Sequence, residues 1–142
     1  MNLFHDMRLL VFKALDQMVA ADKLPRGLSY VNVAVEPPRD PLHGDMATNA
    51  AMVLAKPSGQ SAPAIAEELA PLLEADPRVI SADVAGRGFI NLSLCTSVWQ
   101  GLVGHVLENG AVYGRSVWGH RRSVNIEFVS ANPTGPLHLG HT

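Results

Sequence analysis

The 142-residue chain is 47% hydrophobic and 17% charged, which excludes a disordered polypeptide and suits one compact domain, or one domain and a stub. Its 11 Lys+Arg against 13 Asp+Glu leave a net charge of −2, so a broadly basic nucleic-acid binder is excluded and any RNA contact must be local. Cys95 is the sole cysteine, which excludes a disulfide framework or a multi-cysteine zinc site and fits a reducing compartment.

Leu3, Met7, Leu10, Val11, Ala14, Leu15 and Met18 recur at helical spacing, predicting an amphipathic helix that ends near Asp22, before Pro25 and Gly27. Its polar residues His5, Asp6, Arg8 and Lys13 leave no signal-peptide core. No apolar run approaches the ~20 residues of a membrane span, so a cytoplasmic location is expected. Val31, Val33 and Val35 alternate with Asn32 and Ala34 as a short strand ended by Pro37 and Pro38. His43-Gly44-Asp45 reads as a turn, with Asp45 as N-cap of a helix through Lys56 that Pro57-Ser58-Gly59 breaks. Asp45, Thr48 and Asn49 are read as structural. Ser61 caps the next helix, which carries Ile65, Leu69, Leu72 and Leu73, and Pro71 is expected to kink or end it.

Val79 to Val84 and Phe89 to Leu94 flank Gly86-Arg87-Gly88, a β-hairpin signal. Trp99, Leu102, Val103, Val106 and Leu107 mark a further helix stopped by Asn109-Gly110, with Trp99 in the core and Cys95 inert before it. Tyr113 to Arg122 is polar and reads as a linker, and Val124 to Val129 as a final strand. The order predicts an α+β fold: a small two-layer domain over 1–114, a linker over 115–122, and over 123–142 the first strand and loop of a parallel nucleotide-binding sheet.

The tail carries the chemistry. Ser130 to His141 reads Ser-Ala-Asn-Pro-Thr-Gly-Pro-Leu-His-Leu-Gly-His, and the chain stops one residue later. Two imidazoles at i and i+3 on a first helical turn share a face and can donate to phosphate oxygens beside the helix's own N–H groups. Gly140 between His138 and His141 leaves room for a nucleotide to approach, and Pro133 and Pro136 stiffen the loop. A zinc pair and a structural loop are the competing readings of the two histidines. Glu127 stands within an apolar strand, where an unpaired carboxylate costs several kcal/mol. Its partner is either a cationic substrate, such as a guanidinium in bidentate contact, or an internal Arg121 or Arg122.

On the hairpin, Ile90, Leu92 and Leu94 face one way and Phe89, Asn91 and Ser93 the other, with Arg87 at the turn. A ring, an amide and an arginine suit an unstacked RNA base and its phosphate, with stacking worth ~1–3 kcal/mol. The competing reading packs Phe89 under a loop.

His43-Gly44-Asp45, Thr48-Asn49, Gly88-Phe89-Ile90-Asn91, Ile126-Glu127-Phe128 and the run from Ser130 to His141 together resemble the class I aminoacyl-tRNA synthetases, specifically the bacterial type of arginyl-tRNA synthetase. The resemblance implies that arginine attacks the α-phosphorus of ATP to give arginyl-adenylate and pyrophosphate, after which a tRNA ribose hydroxyl takes the arginyl group. It implies that His138 and His141 stabilise the phosphate transition state, that Gly140 admits ATP, and that Glu127, Ser130 and Asn132 hold arginine. It implies that Phe89, Asn91 and Arg87 contact the tRNA D-loop. Trp118, by its place in the linker, is expected to dock a catalytic domain. ATP would bring magnesium as its counter-ion, with no tightly bound metal, and the whole enzyme would be a monomer without membrane contact. The second, lysine-rich signature of such enzymes is not in these residues, so the piece is not expected to catalyse alone. A free-standing RNA-binding module with a vestigial tail, and a nucleotidyltransferase sharing only the His-x-Gly-His tetrapeptide, are the other classes compatible with the residues.

Overall fold

A computed structural model describes residues 2–139 apart from Arg39, Trp118, Phe128, Asn132, Pro133 and Leu137, and for Pro41 the backbone alone. Two compact units result, Met1–Gly110 and Ala111–Thr142.

The first unit is the expected α+β fold: four helices and a four-stranded antiparallel sheet. Helix α1 (Leu3–Ala20) starts where the Asn2 side chain accepts from the His5 N–H, with Asp6 in the positive first turn. It buries Leu3, Met7, Val11, Ala14, Leu15 and Met18. The chain beyond is tied back to α1. Arg8 donates from Nε to the Val33 carbonyl at 2.7 Å and from its terminal nitrogen to Val31 at 3.1 Å, and its guanidinium sits 5.0 Å from the Phe12 ring centre. The Tyr30 hydroxyl donates to Asp16 at 3.1 Å, and burial together with that carboxylate raises the phenol pKa to about 12.

The strand expected over Val31–Val35 shrinks to β1 (Val35–Glu36). Val33 is buried, but Val31 is 72% exposed in a turn, because Arg8 takes up its carbonyl in place of a neighbouring strand. A 3-10 turn (Pro41–His43), capped by Asp40, leads into β2 (Met46–Thr48), a strand where a helix was expected. Asp45 is therefore no helix cap. Its Oδ2 accepts from the Leu94 N–H at 2.7 Å, while its own N–H donates to the Leu92 carbonyl at 2.8 Å.

Helix α2 (Ala50–Ser58) follows Asn49 and tolerates Pro57 in its last turn. It closes in a Schellman motif, with Gly59 at φ 71° and the Gln60 N–H on Ala55. Helix α3 (Ala62–Glu74) is capped by Ser61, which accepts from Ala64 at 3.3 Å, and runs on past the exposed Pro71. Asp76 then holds Arg78 through both carboxylate oxygens, at 2.8 and 3.0 Å. Those hydrogen bonds outweigh burial and hold the Asp76 pKa below its ordinary value, and they raise that of Arg78.

Strands β3 (Val79–Ala85) and β4 (Phe89–Leu94) form the expected hairpin, with a bulge between Val79 and Ser81 that places Ile80 in solvent. The sheet order is β1-β2-β4-β3. Met46, Thr48, Ile90, Leu92, Leu94, Val79 and Ala82 form its covered face, against α1, α2 and α3. Helix α4 (Thr96–Asn109) adds Val98, Trp99 and Leu102 to the core margin but buries no residue fully, so Trp99 is a partly covered flank of the core. The Cys95 thiol before it donates to the Pro77 carbonyl at 3.3 Å.

A 3-10 turn (Gly110–Val112) leads from the last residue of the first unit into the second, where a further turn places His120 and Arg121 at positive φ. The described part of 124–129 is not a strand, contrary to expectation, and Val124 and Ile126 are 72% and 65% exposed. A parallel strand needs flanking strands to satisfy its backbone, and no described strand pairs with this run.

Candidate nucleic-acid interface

The uncovered face of the sheet is built by alternation across three strands. Ile90 and Leu92 point into the core, which turns Phe89, Asn91 and Ser93 outward. Register carries that outward row sideways: Asn91 pairs with Ala47, and Ala47 with Glu36. On the other flank Asn91 pairs with Asp83, whose carboxylate accepts from the Ser81 hydroxyl at 2.9 Å. Phe89 is 42% exposed, which excludes the reading that packs it under a loop.

These residues wall a concavity of about 510 Å³, floored by Ala47 and bordered by Glu36, Pro37, Pro38, His43, Asn49, Phe89 and Asn91. Gly86 reaches its rim from the hairpin turn, whereas Arg87 is exposed at the turn and does not line it.

Local chemistry fixes the walls. Gly44 lies at φ 93°, and a Cβ there would sit 2.7 Å from the Leu92 carbonyl oxygen, so only glycine lets the His43-Gly44-Asp45 turn press against β4. Thr48, fully buried, donates to the Ala34 carbonyl at 2.8 Å. Asn49 accepts from the Ala34 N–H at 2.8 Å and donates to the Asn32 carbonyl at 3.2 Å. Thr48 and Asn49 thereby peg Asn32 and Ala34, the approach to β1. Gly88, at φ 113°, passes against Ala62 at the start of α3, where a Cβ would meet the Ala62 Cβ at 2.7 Å. Phe89 therefore begins its strand on a fixed base.

Of the tail residues, Glu127, Ser130 and His138 are exposed within the second unit. Asn132, Gly140 and His141, with Phe128 and Trp118, lie outside the described residues. Among the described residues no group of three or more His, Cys, Asp or Glu is placed to hold a metal ion, and no helix is long and apolar enough to cross a membrane.

The model of the arginyl-tRNA synthetase N-terminal domain matches residues 6–94, from the first turn of α1 to the end of β4. The chain belongs to this family. It is 64% identical to the arginine–tRNA ligase of Ruegeria pomeroyi and 61% identical to that of Paracoccus denitrificans, in each case over 100% of this chain and 24% of the relative. The arginyl-tRNA synthetase of Thermus thermophilus has a similar structure, with TM-score 0.56 and 27% identity over 99% of this chain and 21% of that one. The chain thus spans about a quarter of the length of the curated relatives it matches.

Every residue bordering the concavity falls inside the matched family domain, and the His-x-Gly-His tail falls outside it. Sequence reasoning found Phe89, Asn91 and the hairpin but missed Glu36, His43 and Ala47 as their neighbours. The available signal was the His43-Gly44-Asp45 turn followed by the three residues Met46-Ala47-Thr48, buried, outward and buried, too short a run to stand out.

Proposed function

We propose that this chain is the N-terminal, tRNA-contacting part of an arginine–tRNA ligase, and that the open sheet face is where it reads an unpaired D-loop base. The observation that carries this is the pairing of an exposed aromatic ring with an amide on neighbouring outward positions of β4, beside a concavity roomy enough for a base, in a domain of this family. Phe89 supplies a stacking surface, Asn91 edge hydrogen bonds, and Arg87 at the turn an attraction for phosphate. The net charge of −2 means affinity rests on that focused contact more than on a broad field.

In this reading residues 1–114 are the tRNA-binding domain, 115–122 a linker, and 123–142 the opening of the catalytic domain. The tail contributes half of the site for two-step arginine activation and transfer. His138 and His141 donate to the ATP phosphates at the α-phosphorus, Gly140 gives the nucleotide room, and Glu127, Ser130 and Asn132 hold arginine, Glu127 by its guanidinium. ATP enters with its magnesium as substrate. The whole enzyme is a cytoplasmic monomer, and the remaining helix and sheet complete the phosphate site.

Phe89→Ala and Asn91→Ala, made in the whole enzyme, are expected to weaken tRNA binding about tenfold each while leaving ATP–pyrophosphate exchange and the melting temperature unchanged. Equal tRNA affinity in both variants and the parent would remove this reading.

A further inference from the structure

We propose that Glu36 is a specificity-determining residue of the sheet-face concavity: its carboxylate selects a base that carries an exocyclic amino group and disfavours uracil. The proposal rests on the reading that this face takes an unpaired base.

The geometry is set by register. Glu36, Ala47 and Asn91 form one outward row over three adjacent strands, by the pairings Glu36↔Ala47 and Ala47↔Asn91. Two strand spacings separate Glu36 from Asn91, about 9–10 Å between backbones. Ala47 projects only a methyl group between them. A planar base laid over that methyl meets one polar side chain on each edge, with Phe89 one outward step from Asn91 along β4 to cover its face.

The two polar walls differ in what they can read. The Asn91 amide has both an acceptor oxygen and a donor nitrogen and can rotate to present either, so alone it accommodates adenine, cytosine, guanine or uracil. A carboxylate only accepts. The amino groups of adenine, cytosine and guanine supply it with donors. Uracil offers one N–H on that edge, flanked by two carbonyl oxygens that repel the carboxylate. A carboxylate in an RNA-facing concavity also opposes phosphate, so Glu36 lowers the affinity of any nucleotide that does not return a hydrogen bond. Asp83, on the far side of Asn91, is engaged by Ser81 and is not part of the concavity.

The test uses the 142-residue chain and transcripts of an arginine tRNA in which each unpaired D-loop position is in turn adenine, cytosine, guanine or uracil. For the parent chain, one position is expected to show uracil binding roughly tenfold more weakly than the best amino-bearing base, the usual effect of one hydrogen bond to a charged group. Glu36→Gln, whose amide can also donate, is expected to shrink that preference to within about twofold while Phe89→Ala weakens all four transcripts. If Glu36→Gln shifts all four affinities by the same factor, its charge acts without reading the base and the proposal is overturned. If Phe89→Ala leaves every affinity unchanged, the base-reading function itself fails, and Glu36 selectivity with it.

Discussion

Single side chains here do more than fill the core, and Asp76 shows how one can be tested. It joins the end of α3 to the start of β3 by gripping Arg78 in two hydrogen bonds. Its carboxyl pKa is held below the ordinary 3.8 chiefly by those bonds. Folding therefore gains stability from Asp76 at any pH above 3.8, and the gain disappears as the pH drops through the lowered folded value. Asp76→Asn is expected to cost about 1 kcal/mol near neutral pH, allowing for the partly exposed partner. Urea titrations of parent and variant should converge below the ordinary carboxyl value. A gap that persists undiminished into acid would show that the ion pair is not its source. Residue-scale chemistry was also where sequence reasoning was weakest. Asp45 before an apolar run looks like a helix cap, yet its acceptor serves Leu94, 49 positions away. No local pattern encodes such a partner.

At the scale of elements, length decided what could be read. Helices α1, α3 and α4 repeat their apolar stripes over several turns, and the β3–β4 hairpin carries its Gly-Arg-Gly turn, so their periods are visible in the sequence. Strands β1 and β2 have two and three residues: the alternation read over Val31–Val35 overshot β1, β2 is too short for alternation to register, and both exist through pairing, β1 with β2 and β2 with β4. The concavity was half legible for the same reason: its β4 wall was predicted, the strand before Pro37 and Pro38 was read too early, and β2 was read as part of a helix. The turn into β2 can be probed through glycine. Gly44→Ala forces a side chain into positive φ and against the Leu92 carbonyl, whereas Gly86→Ala meets nothing within 4 Å at φ 56°. The expected losses are about 2–4 kcal/mol for the first and about 1 kcal/mol for the second, by chemical denaturation. Equal losses would mean that backbone conformation alone, and not the press of the turn on β4, governs both positions.

On the scale of the molecule, every fully buried hydrophobic side chain recorded lies between Leu3 and Leu94, within the first unit. A chain ended at Gly110 is therefore expected to melt within about 3 °C of the 142-residue form, as followed by circular dichroism. A larger drop would show that the second unit contributes to the fold of the first. The described residues of 124–129 form no strand: their apolar run is a sound strand signal, but a sheet is a collective object, and no described strand pairs with them.

The sheet order has one more consequence. Glu36, Ala47 and Asn91 become neighbours only after β2 has paired with both β1 and β4, a closure that spans more than a third of the chain. Neither the hairpin alone nor any nascent stretch that ends before β4 can display the three together. A ligand that touches all three is thus a reporter of completed folding, blind to half-assembled intermediates.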